Sequence, residues 1–193
     1  MDQEPNLKVL STLMKAYMVA LPYQNLTMLL PSRQHRPPTP AELKQDVLMG
    51  FGGPCAVLNS VFAALLHSLG YDVQLAAGSI QQPGCHIVIL VRLAGELWWV
   101  DCGNAKPYFK PVALGDETSK TVGTWSYKVA VDSREGSYKV LHSTKGGDWV
   151  GGYAFQARPS YHLVDFMPMI RRSRVDPGFS RFLTCVKVVW LND

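Results

Sequence analysis

Apolar residues recur at helical spacing from the start of the chain. Leu7, Leu10, Met14, Tyr17 and Leu21 share one face, and Asn6 is placed to cap the helix they define. Pro22 ends or kinks it, and a loop with four prolines runs from Pro31 to Pro40. Thr39-Pro40-Ala41-Glu42 then carries a capping-box pattern with proline at the first helical position, predicting a second helix to about Met49. The Gly50/Gly52/Gly53 cluster stops it. A third helix is predicted from near Pro54, with Leu58, Val61, Phe62, Leu65, Leu66 and Leu69 as its apolar stripe and Gly70 as its stop.

After Tyr71 the period changes from helix to strand. Segments 71–77, 86–92, 97–101, 125–131, 138–142, 149–155 and 182–190 are short and rich in β-branched or aromatic residues. Ala94-Gly95 and Arg134-Glu135-Gly136 read as hairpin turns. The pattern predicts an α+β fold with a helical unit over residues 1–70 and an antiparallel sheet or barrel over residues 71–193.

Composition narrows the function without naming it. The 193 residues are 47% hydrophobic and 18% charged, enough to bury a sizeable core. A net charge of +4 is too dispersed to argue for nucleic acid and fits an anionic small molecule only weakly. The N-terminus does not read as a signal peptide, and no segment is long enough to span a bilayer. Cys55, Cys85, Cys102 and Cys185 form no C-x-x-C pair, so neither a zinc site nor a disulfide framework is expected. The expected setting is cytoplasmic, with no metal, membrane or nucleic-acid partner.

Cys55 stands where a nucleophile would. It follows Gly52-Gly53-Pro54 and opens a helix, whose dipole favours thiolate over thiol. The glycines permit close approach of a ligand, and free N–H groups there could hold an oxyanion. The plainer alternative is a small buried hydrophobe. His86 and Asp101 shift the balance. A two-residue turn at Ala94-Gly95 sets Leu93 opposite Glu96, which makes His86 and Asp101 diagonal neighbours on one sheet face, roughly 7–8 Å apart at Cα. Asp101 can then orient the imidazole, and His86 can take the thiol proton. The alternatives are a satisfied core histidine and a strand-end turn cap. The same parity sends Cys85 and Cys102 to the opposite face, which disfavours a disulfide and a Cys-His metal site.

At these residues the sequence resembles the arylamine N-acetyltransferase family. Gly52-Gly53-Pro54-Cys55 is similar to its R-G-G-x-C motif, and Val100-Asp101-Cys102-Gly103 to its V-D-V-G-F-G. Leu21-Pro22-Tyr23-Gln24-Asn25-Leu26 is similar to I-P-F-E-N-L, Asn59 falls on the family's asparagine, and Asp176–Phe182 resembles S-P-x-S-x-F. The resemblance implies a helical bundle, a β-barrel and a lid, with ping-pong acetyl transfer from acetyl-CoA to a small arylamine or hydrazine. Cys55 is then the acyl acceptor, His86 the general base and acid, and Asp101 the orienting carboxylate. Four features depart from the family: Phe51 in place of the motif arginine, Val57 in place of Glu/Gln, Asn104-Ala105 in place of Phe-Gly, and a lid expected to be largely absent.

Two other readings remain open: a thiol hydrolase using the same triad, and a divergent inactive paralogue. His35, His67, His142 and His162 show no partner pattern. Arg171-Arg172-Ser173-Arg174 and Lys106/Lys110 read as solvated surface or as contacts for CoA phosphates. Trp98 and Trp99 alternate across a strand, one for the core and the other for an aryl pocket or the sheet's cover.

Overall fold

In the computed structural model, residues 4–33, 36–80, 82–132, 136–160, 162–175 and 183–189 are described. His35, the Arg134-Glu135 part of the hairpin turn and the 176–182 motif lie outside them.

Asn6 accepts the Val9 N–H at 2.9 Å and starts α1 (Leu7–Ala20), whose Leu10, Met14 and Tyr17 are buried. A two-residue strand, β1 (Tyr23–Gln24), follows, then a single 3-10 turn at Leu26–Leu29. The capping box forms in full at α2 (Pro40–Leu48). The third helix, α3 (Cys55–Ser68), ends where Gly70 takes φ +87°.

The strands are β2 (Asp72–Ser79), β3 (His86–Leu93), β4 (Glu96–Val100), β5 (Val112–Ala113), β6 (Lys120–Val122), β7 (Trp125–Val131), β8 (Ser137–Thr144) and β9 (Val150–Ser160). They form an eight-stranded antiparallel sheet in the order β5-β4-β3-β2-β9-β8-β7-β6. Its two ends curl together into a nearly closed barrel. The Tyr127 hydroxyl of β7 accepts from the Lys110 N–H at 2.8 Å and donates to the Lys110 carbonyl at 2.9 Å, just ahead of β5. The β3–β4 register follows the turn as expected: Leu93 pairs with Glu96 and Ile89 with Val100, across Ala94 (φ +53°) and Gly95 (φ +82°).

Strand β3 is covered on both faces, which explains its unbroken apolar run. Its Ile87, Ile89 and Val91 meet α1, α3 and a fourth helix, α4 (Met167–Val175). Val88 and Leu90 point into the barrel, which is filled by Trp99, Tyr108 and Tyr127. The Trp99–Tyr108 and Tyr108–Tyr127 rings cross edge to face at 5.0 Å.

The C-terminal segment corrects the expectation of a barrel strand over 182–190. Among the described residues of that segment only Cys185–Val186, strand β10, is extended, and it pairs with β1 in a separate two-stranded ribbon. Asn25 takes it there, accepting the Thr184 N–H at 2.9 Å through its side chain and donating its own N–H to the Thr184 carbonyl at 3.2 Å. Strands β5 and β6 are too short for a period-2 pattern to show. In α4, Pro168 occupies the first turn, where a missing N–H costs nothing, and so does not break the helix.

Candidate active site

The loop before Cys55 is laced to its neighbours. The Gly53 N–H donates to the Pro22 carbonyl and the Gln24 N–H to the Gly53 carbonyl, both at 3.2 Å. The Asp46 carbonyl accepts from Phe51 at 2.8 Å and from Gly52 at 3.3 Å. Gly52 sits at φ +66°, and a Cβ there would collide with the Pro22 carbonyl, so this position admits glycine alone. At Gly53 a Cβ would meet that of Val57 at 2.7 Å. Pro54 is the α3 N-cap and offers no side-chain acceptor, and the Cys55 and Ala56 N–H groups have no acceptor among the described residues. The departure at Val57 thus fills space against the glycine loop, and Phe51 is exposed.

Three expected residues meet at this helix start. His86 Nε2 lies 2.7 Å from Asp101 Oδ2, and the Cys55 thiol is near enough to the same ring to act on its charge. With Nε2 engaged by the carboxylate, Nδ1 is the nitrogen left for the thiol. His86 and Asp101 are almost completely buried. Gly103 is wedged against Cys55, for a Cβ on it would sit 2.8 Å from Cys55 Cα and 2.9 Å from Asn59 Nδ2.

Asp101 is held by neutral donors as well as by the imidazole. Its Oδ1 accepts from Asn59 Nδ2 at 2.8 Å and from the Gly103 N–H at 2.9 Å. Its Oδ2 also accepts from the Tyr153 hydroxyl at 2.6 Å, and Trp99 Nε1 donates to that hydroxyl at 3.0 Å. Asn59 further donates to the Ile87 carbonyl at 2.6 Å and accepts the Cys102 N–H at 2.8 Å, tying α3 to the ends of β3 and β4. The Tyr153 ring stands edge-on to His86 at 4.9 Å.

Burial alone would lower the His86 ring. The charges of Asp101 and Cys55, with their hydrogen bonds, override it and hold the ring well above its ordinary value. Burial would raise Asp101, and His86, Asn59 and Tyr153 together bring it below its usual range. The Cys102 thiol is pushed well up by burial and by Asp101, and it faces the helix-side core. The Tyr23 hydroxyl is raised by burial and by the nearby Cys55 and Asp101, which sets β1 against the site.

Sequence reasoning missed Tyr153. Its inward orientation follows the strand period, but its place beside His86 depends on β2 pairing with β9, a long-range choice with no local signal. Trp99 is barrel core, and Trp98 packs on the helix-side core as cover for the sheet. Cys85 precedes β3, where its sulfur accepts the Ile80 N–H at 3.3 Å. His67 and His162 are exposed, and His142 stacks on Trp125 at 4.6 Å. Lys106 lies over the same Trp125 ring at 5.0 Å, while Lys110 is exposed. Among the described residues no group of three or more His, Cys, Asp or Glu is placed to hold a metal ion. No helix there is long and apolar enough to cross a membrane.

Known proteins resemble this chain in sequence and in fold. Residues 6–188 match a family described as N-acetyltransferase. The arylamine N-acetyltransferase / N-hydroxyarylamine O-acetyltransferase of Salmonella typhimurium is 28% identical over 159 residues, which cover 78% of this chain and 55% of that protein. Proansamycin X synthase of Amycolatopsis mediterranei is 29% identical over 168 residues, covering 80% of this chain and 62% of its own. The chain therefore spans about three-fifths of the length of these curated relatives. The structure of Mycobacterium marinum arylamine N-acetyltransferase in complex with CoA superposes with a TM-score of 0.80 at 22% identity, covering 96% of this chain and 72% of that one. With the match running through nearly every described element, the chain belongs to the arylamine N-acetyltransferase family.

Proposed function

We propose that this protein is an acetyl-CoA-dependent N-acetyltransferase that works through an acetyl-cysteine intermediate on Cys55. The acceptors are small arylamines or hydrazines. The observation that carries the reading is the His86 ring, held at Nε2 by Asp101 at 2.7 Å and lying beside a cysteine at a helix start whose charge acts on it.

In the first half-reaction the thiol proton passes to His86, and the Cys55 sulfur adds to the thioester carbonyl. The tetrahedral oxyanion forms beside the unpartnered N–H groups of Cys55 and Ala56, at the positive end of α3. The C–S bond to CoA breaks, His86 returns its proton to the leaving thiolate, and CoA departs as a thiol. In the second, the amine nitrogen adds to acetyl-Cys55 and His86 takes the proton it sheds. The amide forms as the Cys55 sulfur leaves and is reprotonated. Asp101 stays ionised throughout and supports the imidazolium, steadied by Asn59 and Tyr153.

Intact-protein mass after brief incubation with acetyl-CoA tests this. An acetyl adduct on the wild type and none on Cys55→Ser is expected. No adduct on folded wild type with its thiol intact would sink acetyl-CoA-dependent transfer. Turnover of simple thioesters to free acetate without an amine would favour a thiol hydrolase.

A further inference from the structure

A cleft of about 500 Å³ lies beside the site, on the outer face of the barrel. Its walls are Ala77 of β2, the Pro83-Gly84 turn between β2 and β3, Arg158 of β9 and one face of the α4 region. Asp165, Pro168, Met169 and Arg172 share that face by helical spacing, which brings Arg172 of the basic run at residues 171–174 into the cleft lining. Arg172 donates Nη2 to the Pro83 carbonyl at 2.9 Å, which fixes the turn and leaves its other donors available. Arg158 has no hydrogen bond or ion pair among the described residues, and neither arginine has an acidic partner there. Two guanidiniums against the single carboxylate of Asp165 leave the cleft net positive. It is also close to the chemistry. Gly84 is two residues before His86, at most about 7 Å of chain, and Gly78, next to Ala77, pairs with His86 across the ladder.

We propose that this cleft holds the phosphate groups of the acyl donor, with Arg158 and Arg172 as the paired cations. Guanidinium groups suit phosphate because their parallel N–H donors match two oxygens at once. The two arginines come from different elements, β9 and α4, and face one cavity that opens next to the turn leading into His86. A donor anchored here by its phosphates directs its thioester past Pro83-Gly84 toward Cys55. This assignment rests on the acyl-CoA reading above and adds to it a subsite built from this chain's own side chains.

Two measurements test it separately from that reading. In the first, the protein is titrated calorimetrically with adenosine 3′,5′-bisphosphate and with inorganic diphosphate. Binding is expected for the wild type, weakening with salt, roughly tenfold weaker in Arg158→Ala and lost in the Arg158→Ala/Arg172→Ala double variant. The double lysine variant is expected to keep part of it. Arg158→Ala is the safer probe, since the side chain is exposed and makes no hydrogen bond or ion pair among the described residues. No binding of either phosphate to the wild type, or equal binding by the variants, overturns the subsite. Binding of diphosphate but not of the nucleotide would mark a free-phosphate site and overturns the donor assignment. In the second, Cys55 acetylation by acetyl-CoA is compared with that by S-acetyl-pantetheine, which has no phosphate. The preference for acetyl-CoA is expected to fall about tenfold or more in the double variant. Failure of both thioesters to acylate Cys55 strikes the reading of the function, whereas acylation with an unchanged preference strikes the cleft alone.

Discussion

Asp101 and Asp46 are carboxylates buried to similar depth, 0% and 2% exposed, and each holds a short ion pair. Asp101 meets His86 at 2.7 Å, and Asp46 meets Arg33 at 2.6 Å. Around Asp46 the partners are fixed cations. Arg33 also reaches Glu42 at 3.3 Å, and Arg36 pairs with Glu42 at 2.7 Å. Around Asp101 the one charged partner among the described residues can gain or lose a proton, the remaining donors are neutral, and a thiol lies beside that partner's ring. Burial and charge therefore do not tell these two carboxylates apart; the titratable partner of Asp101 and the thiol beside it do. The Asp46 cluster has its own task. Asp46's carbonyl holds Phe51 and Gly52, so α2 anchors the loop that presents Cys55.

Breaking each cluster separates chemistry from stability. His86→Asn and Cys55→Ser are expected to slow acyl transfer by roughly 10⁴-fold or more with the fold kept, measured as single-turnover acetylation and by circular dichroism. Asp46→Ala removes the closer of the buried Arg33 cation's two carboxylate partners and is expected to cost about 3 kcal/mol. Thermal melting would then drop by roughly 6–12 °C. A melting loss from His86→Asn as large as that from Asp46→Ala would mean that the two clusters do the same structural work.

Proton linkage sharpens the contrast. Folding raises the His86 ring above its ordinary value of 6.5, so the folded state keeps a proton the unfolded chain gives up. That stabilisation is complete below pH 6.5 and is lost as pH climbs through the folded value. Asp101 is lowered from 3.8, so its contribution is present above that pH and is lost as pH falls through a still lower value. Glu42 is likewise held down, first by its hydrogen bond to Arg36 and then by the Thr39 backbone, and it too gives way only in acid. Acid thus weakens both clusters, and the alkaline loss belongs to the Asp101 cluster, to His86 first and to the raised Tyr153 hydroxyl only above the ordinary tyrosine value of 10, because arginine does not titrate there. Urea midpoints from pH 5 to 10 are expected to fall on the alkaline side for wild type and much less for His86→Asn.

Tyr153→Phe is a milder probe of the same cluster. It removes a donor from Asp101 Oδ2 and leaves Trp99 Nε1 unpartnered. Acylation is expected to slow about tenfold. The less solvated carboxylate then grips the imidazolium harder, so the alkaline limb of the acylation profile moves to higher pH. A uniform rate loss with no shift would assign Tyr153 to packing alone.

How much of this was legible follows from distance along the chain. The caps of α1 and α2, the stop at Gly70 and the β3–β4 turn are local, and each is written in a few residues. His86 and Asp101 came together on paper because one two-residue turn fixes their register. Cys55 could be proposed from its helix start, but its contact with His86 needed the packing of α3 on β3, for which Asn59 is the visible rivet. Tyr153 and the Arg158–Arg172 cleft depend on β9 lying beside β2 and on α4 folding over both. No short-range pattern encodes either. The C-terminal segment looked like a barrel strand because its apolar residues were plain and the pull of Asn25 was not.

The smallest expected effect lies in the loop that joins the site to the barrel wall. Ala105 is held at φ +57°, a left-handed conformation that its Cβ disfavours, at the position where the family motif has glycine. Asp101 and Gly103 just upstream are fixed by hydrogen bonds and by contact with Cys55, and Tyr108 just downstream is locked into the barrel's aromatic core. The backbone between them has little freedom to relax, so the strain persists in the folded state. Ala105→Gly removes it and loosens the unfolded chain, two effects that partly cancel. The net expectation is a gain of about 0.5–1 kcal/mol, roughly 1–4 °C in melting temperature, with the acylation rate within about twofold. A loss of stability instead would show that the loop is not held by its ends and that the strain is relieved elsewhere. Asp101 would then owe its position to Asn59 and Tyr153 more than to the turn that follows it.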